Sequence, residues 1–146
     1  MIDEIDAIIL RELLRDARVS FKTLAEKAAL SPNAVAERMR KMQRDGTIRG
    51  FSVDVSAEAL GRRLFAFIDL RFAPGTAATD FISQIAAMPH VLSYALTTGR
   101  SDCTVKVAVA DQSDLVSVIE EMRARFGAVE TYSRIILREQ YFAPTI

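Results

Sequence analysis

Two periodicities of hydrophobic residues follow one another along the chain, and the change falls near residue 50. Before that point, apolar residues recur at steps of three and four positions, which is typical of helices with one buried side. Beyond it, stretches that alternate apolar and polar residues, as strands do, are separated by further helical stretches. The pattern predicts a helical domain over residues 1–50, a linker strand and hinge over 51–63, and a domain of helices and strands over 64–146.

Three helices are predicted in the first domain. The first covers Glu4–Leu14, and a second, short helix begins after Ser20, whose hydroxyl can cap it. A third helix is predicted from Pro32 to about Arg44, because the Ser31 hydroxyl can accept a hydrogen bond from a free amide and proline at the first helical position loses none. This helix should end at Asp45-Gly46, since glycine tolerates the left-handed conformation that commonly follows a helix.

The rest of the chain alternates between strand and helix patterns. Alternation over Ile48–Val55 predicts a short linker strand, and Ala57–Leu60 a helical turn closed by Gly61. Four strands are then predicted at Leu64–Phe72, Val91–Thr98, Cys103–Val109 and Val129–Leu137, with one helix over Thr76–Ala87, whose Phe81, Ile82, Ile85 and Ala86 share a face, and another between Asp111 and Gly127. The order is βαββαβ.

This order is that of the ferredoxin-like arrangement, in which two helices cover one face of a four-stranded antiparallel sheet. The predicted fold class is therefore α+β: a three-helix winged helix-turn-helix followed by a ferredoxin-like βαββαβ domain. The second face of such a sheet is left bare, so we expect a second copy of the chain to cover it in a two-fold dimer.

The tight turn between the second and third predicted helices indicates a helix-turn-helix, whose third helix enters the major groove of DNA. The chain as a whole is neutral, with 19 basic and 19 acidic residues, but residues 38–49 hold five basic residues and one acidic residue. The candidate DNA contacts are Ser31, Asn33, Ala34, Glu37, Arg38, Arg40, Lys41, Arg44 and Arg49. Asparagine, glutamate and arginine can read base edges, whereas Arg40, Arg44 and Arg49 are better placed for phosphates. The alternative is that these basic residues only complement the dipole of a solvent-exposed helix.

Composition excludes several classes of protein. One cysteine and one histidine cannot supply an internal disulfide, a cysteine-based metal cluster or the usual catalytic groups, so we expect no enzyme, no metal site and no cofactor. Cys103 is expected to be a thiol in the core and His90 a loop residue. The acidic N-terminus and the lack of a long apolar run predict a cytoplasmic protein that is neither exported nor embedded in a membrane.

Short motifs are spread over nearly the whole chain. They are Ile5–Leu10, Asp16–Ser20, Leu24–Glu26, Leu30–Pro32, Arg38-Met39, Gly46–Gly50, and Val91–Thr98 followed by Gly99-x-x-Asp102. Together these motifs resemble the Lrp/AsnC (leucine-responsive/asparagine regulator, or feast/famine) family. The resemblance implies a bacterial or archaeal transcription regulator that dimerises through its C-terminal sheets, often assembles into octamers and often responds to a free amino acid.

The resemblance also implies a site for that amino acid. In the family the effector lies between neighbouring C-terminal domains, against the Gly-x-x-Asp turn and nearby strand residues. The corresponding residues here are Gly99, Arg100, Ser101, Asp102, Thr131 and Ser133. Asp102 could accept the ammonium group, and the turn amides or the Arg100 guanidinium could bind the carboxylate. Family members frequently carry a large side chain beside this aspartate, whereas Ser101 and Cys103 are small, so the pocket is expected to differ.

The sequence thus predicts a sequence-specific DNA-binding transcriptional regulator that is modulated by an amino-acid-like effector. Two alternatives remain open. Gly99 and Asp102 could serve only as a hairpin turn. The helical half could also bind a protein, which would make the chain an amino-acid-sensing or protein-interaction module without direct DNA binding. Salt distinguishes the two partners, because binding through phosphate contacts weakens steeply as ionic strength rises.

Overall fold

The structure, a computed structural model, describes residues 2–76, 78–142 and 146, except for the side chains of residues 78–80. The chain forms two units. One comprises Met1–Asp54 with Tyr141–Ile146, and the other Val55–Gln140.

Three helices build the first unit, as predicted. They are α1 (Glu4–Arg15), α2 (Phe21–Ala28) and α3 (Pro32–Arg44). Each begins at a side-chain cap: the Asp3, Ser20 and Ser31 side chains accept hydrogen bonds from the backbone amides of Asp6, Thr23 and Ala34. The tight turn between α2 and α3 passes through Ala29 in the left-handed conformation. The two elements of the predicted helix-turn-helix are therefore confirmed.

The core of the first unit lies between these three helices. Ile9, Leu24, Val35 and Met42 are almost completely buried and come from all three helices. Full burial of each such side chain contributes roughly 1.5–3 kcal/mol. The buried side of α3 consists of Val35, Met39 and Met42, as predicted, so its opposite side faces solvent.

The strand predicted over Ile48–Val55 is wrong. No strand is assigned between α3 and residue 64 in the described structure, so the wing expected beside the three helices is not formed by the residues described. The alternating residues Phe51, Val53 and Val55 are 49%, 85% and 58% exposed. Alternation shows that one side of a segment is apolar, but a strand also needs a neighbour that accepts its backbone hydrogen bonds.

The second unit contains the predicted βαββαβ order. A 3₁₀ turn at Glu58–Leu60, closed by Gly61, precedes it. The elements are β1 (Leu64–Phe72), α4 (Ala78–Ile85), β2 (Val91–Leu96), β3 (Cys103–Val109), α5 (Gln112–Phe126) and β4 (Ala128–Ile135). Helix α4 is shorter than predicted and Ala86, placed by its spacing on the buried face, is exposed because it lies beyond the last helical residue. Residue 77 of that prediction lies outside the described residues.

The four strands form one antiparallel sheet in the order β2-β3-β1-β4, and this confirms the ferredoxin-like fold class. One face of the sheet packs against both helices. Its core includes Ile68 from β1, Val105 from β3, Phe81 from α4 and Met122 from α5.

The opposite face of the sheet is only partly open. Lys106 alternates with the buried Val105 and Val107 and therefore projects from this opposite face, where its ammonium group pairs with Glu139. The chain beyond β4 consequently lies on this face, and Lys106 is 7% exposed. The expectation that the second face is bare is therefore wrong around Lys106, where the segment after β4 covers the sheet.

Candidate nucleic-acid interface and effector pocket

The solvent side of α3 carries five of the predicted DNA contacts. Asn33, Glu37, Arg40, Lys41 and Arg44 are all exposed, and their spacing of three, four and seven residues places them on one side of the helix. Capping by Ser31 and burial of Val35, Met39 and Met42 fix this side toward solvent. The structure therefore brings these five residues together as one continuous surface, which we call the α3 face.

Charged side chains on the α3 face form weak, solvent-exposed ion pairs with each other. The Glu37 carboxylate lies 2.7 Å from Arg40 Nη1 and 3.6 Å from Arg44 Nη2. All three side chains are at least 60% exposed. Exposed ion pairs of this kind contribute only about 0–1 kcal/mol, so a phosphate or a base can replace Glu37 as the partner of either arginine at little cost.

Arg38 does not project freely into solvent, which corrects the expectation from helical spacing. Its Nη1 lies 2.6 Å from Asp3 Oδ2 and 2.8 Å from Asp6 Oδ1, at the N-terminus of α1. These hydrogen bonds raise the pKa of Arg38. The pKa of Asp3 is lowered, first by the backbone hydrogen bond from Asp6 and then by Arg38. In this structure Arg38 therefore links α3 to the N-terminus of α1 through two ion pairs.

The three remaining candidates differ in their surroundings. The Ser31 hydroxyl accepts a hydrogen bond from Ala34 N at 3.2 Å, so it is occupied by capping α3. Ala34 is half-buried on the flank of the helix, and Arg49 is exposed beyond its end.

The turn at Gly99–Asp102 joins β2 to β3 and is fixed by three hydrogen bonds of Asp102. Thr97 N donates to Asp102 O at 3.0 Å, and Asp102 N donates to Leu70 O at 2.9 Å. The Asp102 carboxylate accepts a hydrogen bond from Phe72 N at 2.8 Å, where the register between β1 and β4 shifts. Gly99 has a φ of +105°, which side chains rarely tolerate. Gly99 and Asp102 thus have structural roles in the turn.

A cavity of about 310 Å³ lies beside this turn. Its lining residues, which we call the charged pocket, are Asp69, Arg71, Arg100, Ser101, Arg123, Glu130, Thr131 and Tyr132. Three of the predicted effector residues, Arg100, Ser101 and Thr131, meet here. Asp102 instead lines a neighbouring cavity of about 670 Å³, which shares Arg71 and Glu130 with the charged pocket. Gly99 and Ser133 line neither cavity.

Sequence reasoning missed four charged residues of this pocket: Asp69, Arg71, Arg123 and Glu130. Arg71 and Glu130 are cross-strand partners on β1 and β4. Arg123, on α5, donates from Nε to the Thr131 hydroxyl at 2.9 Å. The only sequence signal for Arg71 and Glu130 is the pairing of the first and last strands, which places residues that are far apart in the chain beside the turn.

The one cysteine and the one histidine of the chain both lie in the second unit. Cys103 is fully buried in the sheet core, as predicted, and burial raises its pKa to about 11. His90 lies between α4 and β2, with its Nδ1 3.9 Å from Asp114 Oδ2. In the described part of the chain, no three histidine, cysteine, aspartate or glutamate residues are grouped as metal ligands would be. No helix of the described ranges is both long and apolar enough to cross a membrane.

Both units match known protein domains. Residues 2–43 match the AsnC-type helix-turn-helix domain, and residues 65–145 match the Lrp/AsnC ligand binding domain. The HTH-type transcriptional regulator LrpA of Mycobacterium tuberculosis is 31% identical over 140 residues, which cover 96% of this chain and 93% of the relative.

Solved structures of transcriptional regulators also match this chain, and they do so over its full length. The feast or famine regulatory protein of M. tuberculosis, complexed with L-methionine, superposes with a TM-score of 0.90 at 29% identity, covering 100% of this chain and 99% of that one. A transcriptional regulator of Neisseria meningitidis, also in complex with L-methionine, gives a TM-score of 0.88 at 25% identity and covers 100% and 96%.

Proposed function

This chain belongs to the Lrp/AsnC family of DNA-binding transcriptional regulators, and from that membership we propose how its own residues bind DNA, pair with a second copy and bind an effector. We propose that the protein acts in the cytoplasm, and that it acts by binding DNA and an effector and not by catalysis. The observation that supports the DNA contacts most directly is the α3 face, which combines base-reading and phosphate-binding side chains on one solvent-exposed surface.

Asn33, Glu37 and Lys41 are the proposed base contacts. Asparagine can bind adenine with two hydrogen bonds, glutamate can accept from the cytosine amino group, and lysine can donate to guanine. Arg40, Arg44 and Arg49 are the proposed phosphate contacts, which fix the position of the helix without reading sequence.

Two copies of the chain are the proposed binding unit. The partly open sheet face would pack against its counterpart, and the two α3 helices would enter successive major grooves about 34 Å apart. A two-fold dimer of this kind binds an approximately palindromic operator. Association of dimers into octamers is the proposed higher assembly.

An amino acid is the proposed effector, bound beside the Gly99–Asp102 turn. Support comes from the two L-methionine complexes among the structural relatives and from the cavities at this turn. The effector can act only through a difference in its affinity for two assembly states, so it would shift how dimers associate on DNA.

Gel shifts on the upstream region of the protein's own gene, measured over a range of salt concentrations, test the DNA-binding proposal. The logarithm of the affinity should fall linearly with the logarithm of salt concentration, by about 0.9 per phosphate contact. Arg44→Ala should weaken binding to all sequences and reduce that slope by about 1.

Arg125→Ala on α5 is the matched control, since Arg125 is an exposed arginine of the second unit that pairs only locally, with Glu121 at 2.7 Å. It should leave the affinity and the slope unchanged. A failure of the wild-type protein to retard DNA at low salt would contradict the proposal. Retardation with little salt dependence would contradict the proposed phosphate contacts.

A further inference from the structure

The charged pocket has an unusual lining for an amino-acid site. Its eight residues are charged or bear a hydroxyl group, and none of them is aliphatic. Three of the eight are arginines, from β1, the Gly99–Asp102 turn and α5. A pocket for leucine or methionine needs apolar walls, because desolvating charged groups against an apolar side chain is costly.

One charge of this lining, that of Asp69, is neutralised by an arginine outside the pocket. Asp69 accepts hydrogen bonds from Arg134 Nη2 at 3.0 and 3.1 Å and from the Thr104 hydroxyl at 2.7 Å. Arg123 is directed at the Thr131 hydroxyl. Asp69 therefore has a cation as its partner, whereas Arg123 keeps its positive charge because the Thr131 hydroxyl is neutral.

Three other charged groups have no hydrogen-bond or ion-pair partner among the described residues: Arg71, Arg100 and Glu130. Arg71 and Glu130 are directly opposite on β1 and β4, yet no ion pair joins them in the described structure. The charged pocket thus offers two guanidinium groups and one carboxylate to a ligand.

We propose that the effector is an amino acid with a second carboxylate, of the aspartate and glutamate class. This inference rests on the proposed amino-acid regulation and specifies its ligand. Glu130 accepts the ammonium group, while Arg100 and Arg71 each bind one carboxylate through charge-assisted hydrogen bonds. Two guanidinium groups without a partner and one carboxylate complement a ligand with two carboxylates and one ammonium group, and the positive charge of Arg123 adds to the attraction for an anionic ligand. A neutral amino acid leaves one guanidinium without an anion.

The size of the cavity agrees with this class. At about 310 Å³ it lies at the lower end of the range for small-molecule sites, which is roughly 300–1,000 Å³. It suits a ligand of a few carbon atoms whose charged ends are bound by charged groups of the lining.

Thermal unfolding and isothermal calorimetry of the full chain test the proposal with L-glutamate, L-aspartate, L-glutamine, L-methionine, L-leucine and succinate. L-Glutamate or L-aspartate should raise the melting temperature, because a ligand that binds only the folded state stabilises it. L-Glutamine, which lacks the second charge, and succinate, which lacks the ammonium group, should each bind about tenfold more weakly, as expected for the loss of a charged hydrogen bond.

Substitutions assign the roles within the pocket. Arg71→Gln and Arg100→Gln should each weaken binding of the acidic amino acid by about tenfold. Glu130→Gln should weaken it by the same factor, and it should also reduce the difference in affinity between the acidic amino acid and succinate, because succinate has no ammonium group for Glu130 to bind. Arg125→Gln on α5 is the control, because Arg125 is an exposed arginine outside the pocket. Melting temperatures without ligand report whether each variant is folded.

Each other outcome overturns the inference in a distinguishable way. If only L-methionine, L-leucine or another neutral amino acid binds, the ligand class is wrong and amino-acid regulation stands. If acidic amino acids bind the arginine variants as tightly as the wild type, the charged pocket is not their site. If no amino acid binds while DNA is still retarded, both effector proposals fail and the DNA-binding function remains.

Discussion

At the scale of single residues, Arg38 shows that position on a helix does not determine the role of a charged side chain. It lies on the flank of α3, where its side chain is 29% exposed and contacts two carboxylates of α1. One of these, Asp6, has a side chain that is only 7% exposed. A carboxylate with so little access to water depends on the guanidinium for its solvation.

Arg38→Ala should therefore destabilise the chain by about 1–3 kcal/mol, because it leaves the Asp6 carboxylate without a cation. Urea unfolding followed by circular dichroism measures this free energy. Arg38→Lys should recover part of the loss. Arg40→Ala, on the exposed α3 face, is the control and should change stability by no more than about 0.5 kcal/mol. An Arg38→Ala variant that is as stable as the wild type but binds DNA weakly would show instead that Arg38 contacts DNA.

Cys103 gives a prediction that depends on pH. Burial raises its pKa from 9.0 to about 11, so in the native protein the thiol stays protonated at pH values where an unfolded thiol ionises. The contribution of this shift to stability is complete below pH 9 and is lost as the pH rises toward 11. At pH 9, iodoacetamide should react slowly with the native protein and rapidly in urea. Equal rates in both states would contradict the buried position of the thiol.

At the scale of elements, local sequence signals were sufficient to predict a helix end wherever neighbouring residues alone determine it. The Ser31-Pro32 start of α3 and the Gly127 end of α5 were predicted because a cap and a left-handed glycine need only neighbouring residues. The strand over Ile48–Val55 was wrong because a strand also requires a pairing partner. Only three of the eight residues that line the charged pocket were predicted, since Arg71 and Glu130 become neighbours only through the pairing of β1 with β4.

The Ser31 cap provides a test at the scale of the recognition helix. Ser31→Ala should cost about 1 kcal/mol of stability, because the Ala34 amide loses its acceptor, and fraying of the first turn should weaken DNA binding. Ser31→Asp should retain the cap and the stability. Thermal unfolding and gel shifts of the two variants measure both effects. If Ser31→Asp were as unstable as Ser31→Ala, the hydroxyl would have a role other than capping.

At the scale of the whole molecule, the second face of the sheet is neither bare nor uniformly apolar. Arg134 reaches Asp69 at 3.0 Å and lies over the Phe67 ring, 5.6 Å from its centre. The segment after β4 covers Lys106 through Glu139. What remains exposed on this face includes Ser93 and Ala95 of the edge strand β2. A second copy that packs against this face would therefore meet small side chains along β2.

Ala95→Glu should disrupt the proposed dimer for this reason. Ala95 is exposed in the single chain and pairs with Thr104 on the face opposite the helices, so the isolated fold should accept a glutamate there. In a dimer the added carboxylate would be buried without a cation, at a cost that weakens association by about a hundredfold. Sedimentation equilibrium measures the dissociation constant, and unfolding in urea verifies the fold. Ala124→Glu, the same substitution at an exposed position of α5 on the helical side, should leave the dimer intact. Equal association of both variants would place the contact between copies elsewhere, because only a partner seated against β2 makes the two positions differ.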